Sequence, residues 1–500
     1  MSHWPSFADF EELAKGQTVV PVYRQLTSDV LTPTSAFCKI QEGEWSFLFE
    51  SVVGGERLGR YSFIGSNPNR QLLSWGGQVE IRAGAVTLHQ RVNDPLACFA
   101  EQMQPYRAAH GPGLPRFCGG AVGFAGYDIV RHYEPLHHPP PDDRQIPDLC
   151  FGWFDRMVIF DHIKKTILVV AYAYLSSVST LREAYEQAKG RVDEWVEKLQ
   201  RRAVDLPIVD VALPTDRQLF VDQPRWQSNF SRAAFESAVA RCLEYIRAGD
   251  IFQVVLSQRF QTETRANSFA IYRALRVINP SPFMFYLRCG PVTLIGSSPE
   301  ILARVENGLV TVRPLAGTRP RGATEEEDRQ LAVELLSNPK ERAEHIMLVD
   351  LGRNDVGRVA EFGSVQLNDL MTIERYSHVM HLSSTVRGRL KAGYSALDAL
   401  RVCLPAGTLS GAPKVRAMQI IDELEPCRRG PYGGAVGYLD FTGNMDTCIA
   451  LRTIVMLGQT AYLQAGAGIV ADSVPSEEYL ETVHKAQGLV RALQIAEEQL

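Results

Sequence analysis

Two pairs of glutamates, Glu341 with Glu344 and Glu478 with Glu481, repeat one spacing in two separate segments of the chain. Three residues apart on a helix, each pair sets two carboxylates one turn apart on one face. Asn338-Pro339-Lys340-Glu341 opens the first helix with an N-cap, a proline at the first helical position and an acid three residues past the cap. Ser476-Glu477-Glu478-Tyr479-Leu480-Glu481 starts the last helix in the chain. Glu341 reads equally well as a cap-favoured acid, worth roughly 0.3–1 kcal/mol at the positive helix end, or as part of a cation site. Ile346-Met347-Leu348-Val349 wraps apolar surface far around the first helix, which predicts a largely buried element. Unpaired carboxylates there carry a large desolvation cost that a cation offsets, and an oxygen-only donor set favours Mg²⁺.

A dicarboxylate or other anion has its own candidates. Arg452 lies in the apolar run Met445 to Val455, read as one interior strand, where a guanidinium needs an anionic partner: a captured ligand carboxylate or an internal ion pair. Ala465-Gly466-Ala467-Gly468 leaves room for a ligand against backbone amides. Arg313 to Gly322 gathers three arginines, two glycines and a threonine into a loop able to hold an anion. Gly407 to Lys414 opens a further helix with a hydroxyl-rich start. By contrast, Gly119 to Gly126 has no phosphate-binding context and predicts close backbone packing, and His132, His137 and His138 sit in a proline-rich loop.

These residues need a large scaffold. Five hundred residues at 45% hydrophobic content can bury a substantial core. Nine cysteines without a Cys-x-x-Cys pair fit reduced thiols rather than a disulfide framework or a zinc site. With 52 basic and 57 acidic residues the net charge is −5, which offers no general attraction to nucleic acid. No apolar run is long enough to span a membrane and the N-terminus has no signal pattern, so a cytoplasmic chain is expected. Trp45 to Ser51, Gly54-Gly55 and Arg60 to Gly65 read as strand, glycine turn and strand, with Glu50 and Ser51 in a turn role. A charged helix is expected over Leu181–Arg201, a linker over Asp205–Gln227, and a helical hairpin over Glu325–Ser337 and Pro339–Gly352. The change of texture divides the chain into residues 1–225 and 226–500.

Taken in order, Pro314 to Pro320, Glu341 to Asp355, Gly407 to Lys414, Asp446 to Arg452 and Gln464 to Gly468 make the chain resemble the chorismate-utilising enzymes, specifically the anthranilate synthase component I family. The resemblance runs from about Phe7 to the C-terminus. It implies an α/β fold of two face-to-face β-sheets with helices outside, a tryptophan-sensing N-terminal region and a chorismate-binding catalytic region. It implies Mg²⁺ on Glu344 and Glu481, with Glu341 and Glu478 assisting. Chorismate contacts fall on Gly317, Thr318, Tyr432, Arg452, Gly466, Ala467 and Gly468. The catalytic histidine falls on His381, in Ser377-His378-Val379-Met380-His381, as proton donor or orienter; on its own it reads as a packed histidine. Tryptophan, as inhibitor, falls on Glu50 and Ser51, on Pro282, Phe283 and Met284, and near Val436 and Tyr438.

Two departures discriminate among similar enzymes. Aminodeoxychorismate synthases commonly carry a nucleophilic lysine where Ala316 stands, and isochorismate and salicylate synthases a lysine base where Gln253 stands. The Gln253 amide cannot take a proton, so ammonia rather than water is the expected nucleophile, and both absences point to the anthranilate synthases. No cysteine lies in a Gly-x-Cys-x-Gly turn, so a separate glutamine amidotransferase subunit is the implied ammonia source. Position 283, often tyrosine in similar chains, is phenylalanine. Two other readings stay open: an aminodeoxyisochorismate synthase, or a secondary-metabolism anthranilate synthase. From another class comes a lapsed tryptophan-binding regulatory protein.

Overall fold

The computed structural model describes residues 3–27, 29–51, 59–176, 178–201, 204, 206, 209–210, 212, 220–376 and 379–500. Gly54-Gly55, Ser377 and His378, and much of the expected linker over Asp205–Gln227, lie outside them. Two 12-stranded sheets form the centre, with neighbouring strands antiparallel.

The first sheet shows why its strands read as continuous apolar runs. Phe47, Leu287, Leu294 and Val455 stand in register across four strands on one face. Leu48, Tyr286, Ile295 and Ile454 stand in register on the other. The two rows belong to different hydrophobic clusters, so both faces are buried. One face meets the second sheet: the rings of Phe47 and Phe154 lie edge to face at 4.8 Å. At Gly65 a Cβ would come within 2.3 Å of Phe47 and 2.9 Å of Phe154, so only glycine lets the sheets approach there. The opposite face is covered by helices including Arg232–Ala248, Ser268–Ile278 and Pro475–Glu498. On the far face of the second sheet, Phe99 from helix Pro95–Met103 stacks on Phe151 at 4.6 Å. The order of layers is therefore helices, sheet, sheet, helices, the expected class.

Both sheets take strands from either side of residue 225. Trp45–Glu50 pairs with Phe283–Cys289 in the first, and Gly120–Ala125 pairs with Ala435–Asp440 in the second. Gly123 lies close against the Cys150 carbonyl, where a Cβ would approach to 1.9 Å, in keeping with close backbone packing in Gly119 to Gly126. Helix Leu181–Arg201 and helix Glu325–Ser337 have the expected bounds, while the helix from Pro339 continues past Gly352 to Val359.

One element differs in kind. The run from Met445 to Val455 is two strands in different sheets, Met445–Ile449 in the second and Thr453–Leu457 in the first. Arg452 stands at the crossover with φ 47°, in the left-handed region. Among the described residues no helix is long and apolar enough to cross a membrane.

Candidate active site

A cavity of about 420 Å³ collects residues from both sheets and two helices. Helix Pro339–Val359 contributes Glu341 and Glu344, and helix Pro475–Glu498 contributes Glu478, Glu481 and Lys485. The first helix starts as its sequence dictates, with the Asn338 side chain accepting from the backbone N–H of Lys340 and Glu341 at 3.1 and 3.2 Å. It is not largely buried, however. His345, Leu348 and Val349 face inward, whereas Ile346 is 54% exposed, because the helix rims a cavity instead of crossing a core. The carboxylates are accordingly only partly desolvated.

Each has a neighbour. Glu344 accepts from Gln253 Nε2 at 2.9 Å, and Glu481 pairs with Lys485 at 2.7 Å. Glu341 pairs with Arg319 at 2.9 Å. Glu478 titrates above the usual carboxylate range, first through burial and further through the neighbouring Glu481 charge. Among the described residues no three carboxylate, imidazole or thiol groups converge closely enough to hold an ion alone. Two carboxylates from facing helices, oxygen donors only and crowded by like charge, fit a magnesium ion whose remaining shell is water and substrate oxygen.

Arg452 is partly buried in the wall of the same cavity, and among the described residues it pairs with no carboxylate. Burial pushes its pKa down. Of the two partners its sequence allowed, the internal one is absent. The loop arginines behave oppositely: Arg313 pairs with Glu374, Arg319 with Glu334 and Glu341, and Arg321 with Asp328. They brace the strand Leu315–Pro320 and are not available to an anion.

Of the other expected site residues, Thr318, His381, Tyr432, Gly466 and Gly468 line the cavity. Gly317 and Ala467 do not. Gly317 offers its carbonyl to His381 Nδ1 at 3.0 Å, and Ala467 is wholly buried in the cluster under the helices, one pleat away from the ligand side. The two cavity glycines have a measurable purpose. A Cβ at Gly466 would lie 2.9 Å from Tyr432 Oη, and one at Gly468 would lie 2.8 Å from Gln253 Nε2, the atom that holds Glu344.

His381 takes a defined proton state. A carbonyl oxygen only accepts, so Nδ1 carries the hydrogen and Nε2 is the bare nitrogen. Nε2 is buried without a partner among the described residues. Burial, with the nearby Arg452 charge, lowers the imidazole pKa. In that state the resting imidazole is a neutral acceptor at Nε2.

One further titratable group in the cavity is a residue the sequence reading passed over. Glu300 follows Ser297-Ser298-Pro299 at the end of strand Val292–Ser298 and reaches the cavity, where burial pushes its pKa up to about 8. It accepts from Thr408 Oγ1 at 3.1 Å. The available signal was an acid closing an interior strand and followed directly by another, Ile301–Glu306.

A second cavity, of about 510 Å³, brings together Glu50, Ser51, Pro282, Phe283, Met284, Val436 and Tyr438. Glu50 is no turn residue. It ends a central strand, and its carboxylate accepts from Tyr272 Oη at 2.6 Å and pairs with Arg276 at 2.9 Å.

Residues 46–491 match the chorismate binding enzyme family. The chain belongs to that family. Among its members, anthranilate synthase component 1 of Acetivibrio thermocellus is 47% identical over 99% of both chains. Anthranilate synthase component 1 of Pseudomonas aeruginosa is also 47% identical, over 97% of both. The crystal structure of anthranilate synthase component I from Streptococcus pneumoniae TIGR4 superposes with a TM-score of 0.75 at 40% identity, covering 93% of this chain and 99% of that one. Like the rest of the family, the chain is an enzyme, and its two-sheet fold is the family's fold.

Proposed function

We propose that the chain is the large subunit of an anthranilate synthase, converting chorismate and ammonia to anthranilate and pyruvate at the first step of tryptophan synthesis. Arg452 carries the reading: a partly buried guanidinium that pairs with no carboxylate among the described residues, in one cavity with two helical carboxylate pairs. A dicarboxylate substrate complements that arrangement. One carboxylate meets Arg452, and the other lies on the side of the glutamates, which would hold a cation to neutralise it.

Glu344 and Glu481, assisted by Glu341 and Glu478, would hold Mg²⁺, which would supply charge for a substrate carboxylate and Lewis acidity for the leaving group. The chain's own groups do the rest. Gly466 and Gly468 let the ring approach the strand, and Tyr432 borders it. Gln253 Oε1 is a buried acceptor without a partner among the described residues, suited to an N–H of ammonia, and an amide cannot deprotonate water. Ala316 lines the cavity and provides no nucleophile. As ammonia bonds to the ring and hydroxide departs, Glu300 delivers the proton that makes it water, and the ammonium formed on the ring then gives up its extra proton, which restores the acid form of Glu300. In the second stage the amine-bearing ring carbon loses its proton while enolpyruvate is expelled, and His381 Nε2 is the base in place to take it. Enolpyruvate then becomes pyruvate.

Ammonia comes from glutamine through a partner amidotransferase subunit, in the cytoplasm. Tryptophan occupies the second cavity as inhibitor, against Ser51, Pro282, Phe283 and Met284; residues 1–225 supply one wall of this sensing site, and residues 226–500 supply the other and form the catalytic region. Purified chain given chorismate, Mg²⁺ and an ammonium salt at mildly alkaline pH is expected to form fluorescent anthranilate. A product retaining its enolpyruvyl group would indicate an aminodeoxyisochorismate synthase, and tryptophan binding without turnover a regulatory protein.

A further inference from the structure

A row of residues crosses the first sheet from one cavity to the other. Glu50 is paired with Met284, and Met284 with Ser297, on three adjacent strands. The Ser297 N–H then donates to the carbonyl of Arg452 at 3.2 Å. Glu50 and Met284 line the second cavity and Arg452 the first, so Ser297, wholly buried, is the link between them. A second tie reaches the same serine. Its Oγ donates to the Asn279 carbonyl at 2.6 Å, and Asn279 caps helix Ser268–Ile278, whose Tyr272 and Arg276 hold the Glu50 carboxylate.

The far end of the row is strained. Arg452 has φ 47°, a conformation that a non-glycine residue keeps only where its surroundings impose it. The Ser297 N–H on its carbonyl is one such constraint. Ser297 also leads directly into Pro299 and Glu300, so a displacement of this strand end would be felt by the anion-binding and proton-donating groups together.

We infer that Ser297 is a positioning residue, which holds the Arg452 backbone in the conformation that keeps its guanidinium in the first cavity and relays to it a change at the second. The relay arm rests on the reading of the second cavity as the tryptophan site; the positioning arm does not.

Ser297→Ala keeps the backbone N–H but removes the hydroxyl tie to Asn279 that anchors this strand end and fixes where that N–H meets the Arg452 carbonyl. Steady-state kinetics with ammonium, with and without tryptophan, are read beside tryptophan affinity by calorimetry and a thermal melt. The variant is expected to raise the KM for chorismate at least about fivefold with kcat within about twofold, the scale of one buried hydrogen bond acting on binding. Tryptophan should still bind it but no longer shift the KM. Ser297→Thr, which keeps the hydroxyl, should restore both properties. An unchanged KM and an unchanged tryptophan response would overturn the inference, as would a lowered melting temperature with kcat reduced and KM intact. Should Ser297→Ala not fold, Arg276→Met opens the row at its other end, and tryptophan that still shifts the KM there overturns the relay. Wild-type chain that binds no tryptophan refutes the reading of the second cavity, while the KM change still decides the positioning role.

Discussion

Replacing Glu300 by glutamine is the sharpest chemical perturbation this site permits. Glutamine keeps the volume and an oxygen to accept from Thr408 Oγ1, but it has no proton to give. With its pKa pushed up to about 8 by burial, Glu300 is roughly nine-tenths protonated at pH 7 and about one-tenth at pH 9. Turnover per free ammonia should therefore fall about tenfold across that interval in the wild type, because the acid form is lost as pH rises through the folded value. Glu300→Gln should lower turnover by about 10²–10⁴ with little change in KM, the range a positioned general acid supplies, and its residual rate should lack the alkaline limb. Stability gives an independent sign. A carboxyl whose folded pKa is raised contributes stability that is present below the unfolded value, about 4.3, and is lost as pH rises towards about 8, at up to about 1.4 kcal/mol per pH unit. The glutamine variant has no such loss, so at pH 8 it should melt no lower than the wild type. The assay is anthranilate fluorescence over pH 6–9 with a parallel melt. Retention of a third or more of the turnover, or an unchanged alkaline limb, would remove Glu300 from the proton-donor role.

Two further substitutions test the binding groups. Glu481→Gln should abolish Mg²⁺-dependent turnover, or raise sharply the Mg²⁺ needed for half-maximal rate, with an unchanged melt because that side chain is 46% exposed; an unaltered Mg²⁺ titration would take it out of the metal shell. Arg452→Met should weaken chorismate binding by on the order of 2–5 kcal/mol, the loss expected when one half of a desolvated charge pair is removed, while leaving the free protein as stable or more so, since the guanidinium pairs with no carboxylate among the described residues. A variant that lost stability and kept its substrate affinity would make Arg452 structural.

What the sequence reveals is mostly local. The Glu341 and Glu344 spacing, the Asn338 cap and helix Glu325–Ser337 are set within a few residues, and the structure repeats them. Harder features depend on partners far along the chain. Nothing in the unbroken apolar run around Arg452 marks the point where it leaves one sheet for the other, because both environments bury it. The arginines of 313–321 advertise anion binding by composition, yet their charges are met by Glu374, Glu334, Glu341 and Asp328 from other elements. The proton on His381 is decided by the Gly317 carbonyl across a strand pair, and the acidity of Glu300 by burial that no short motif records. Ile346, which sequence places with the core, is exposed because its helix borders a cavity.

The central claim is that this cavity joins ammonia to chorismate and then expels pyruvate. Isotopically labelled ammonium, chorismate and Mg²⁺ with the purified chain, followed by mass analysis of the products, tests both halves at once. The account predicts anthranilate carrying the label and one pyruvate for each anthranilate formed. A labelled product that keeps its enolpyruvyl group, or an unlabelled hydroxylated one, would contradict it.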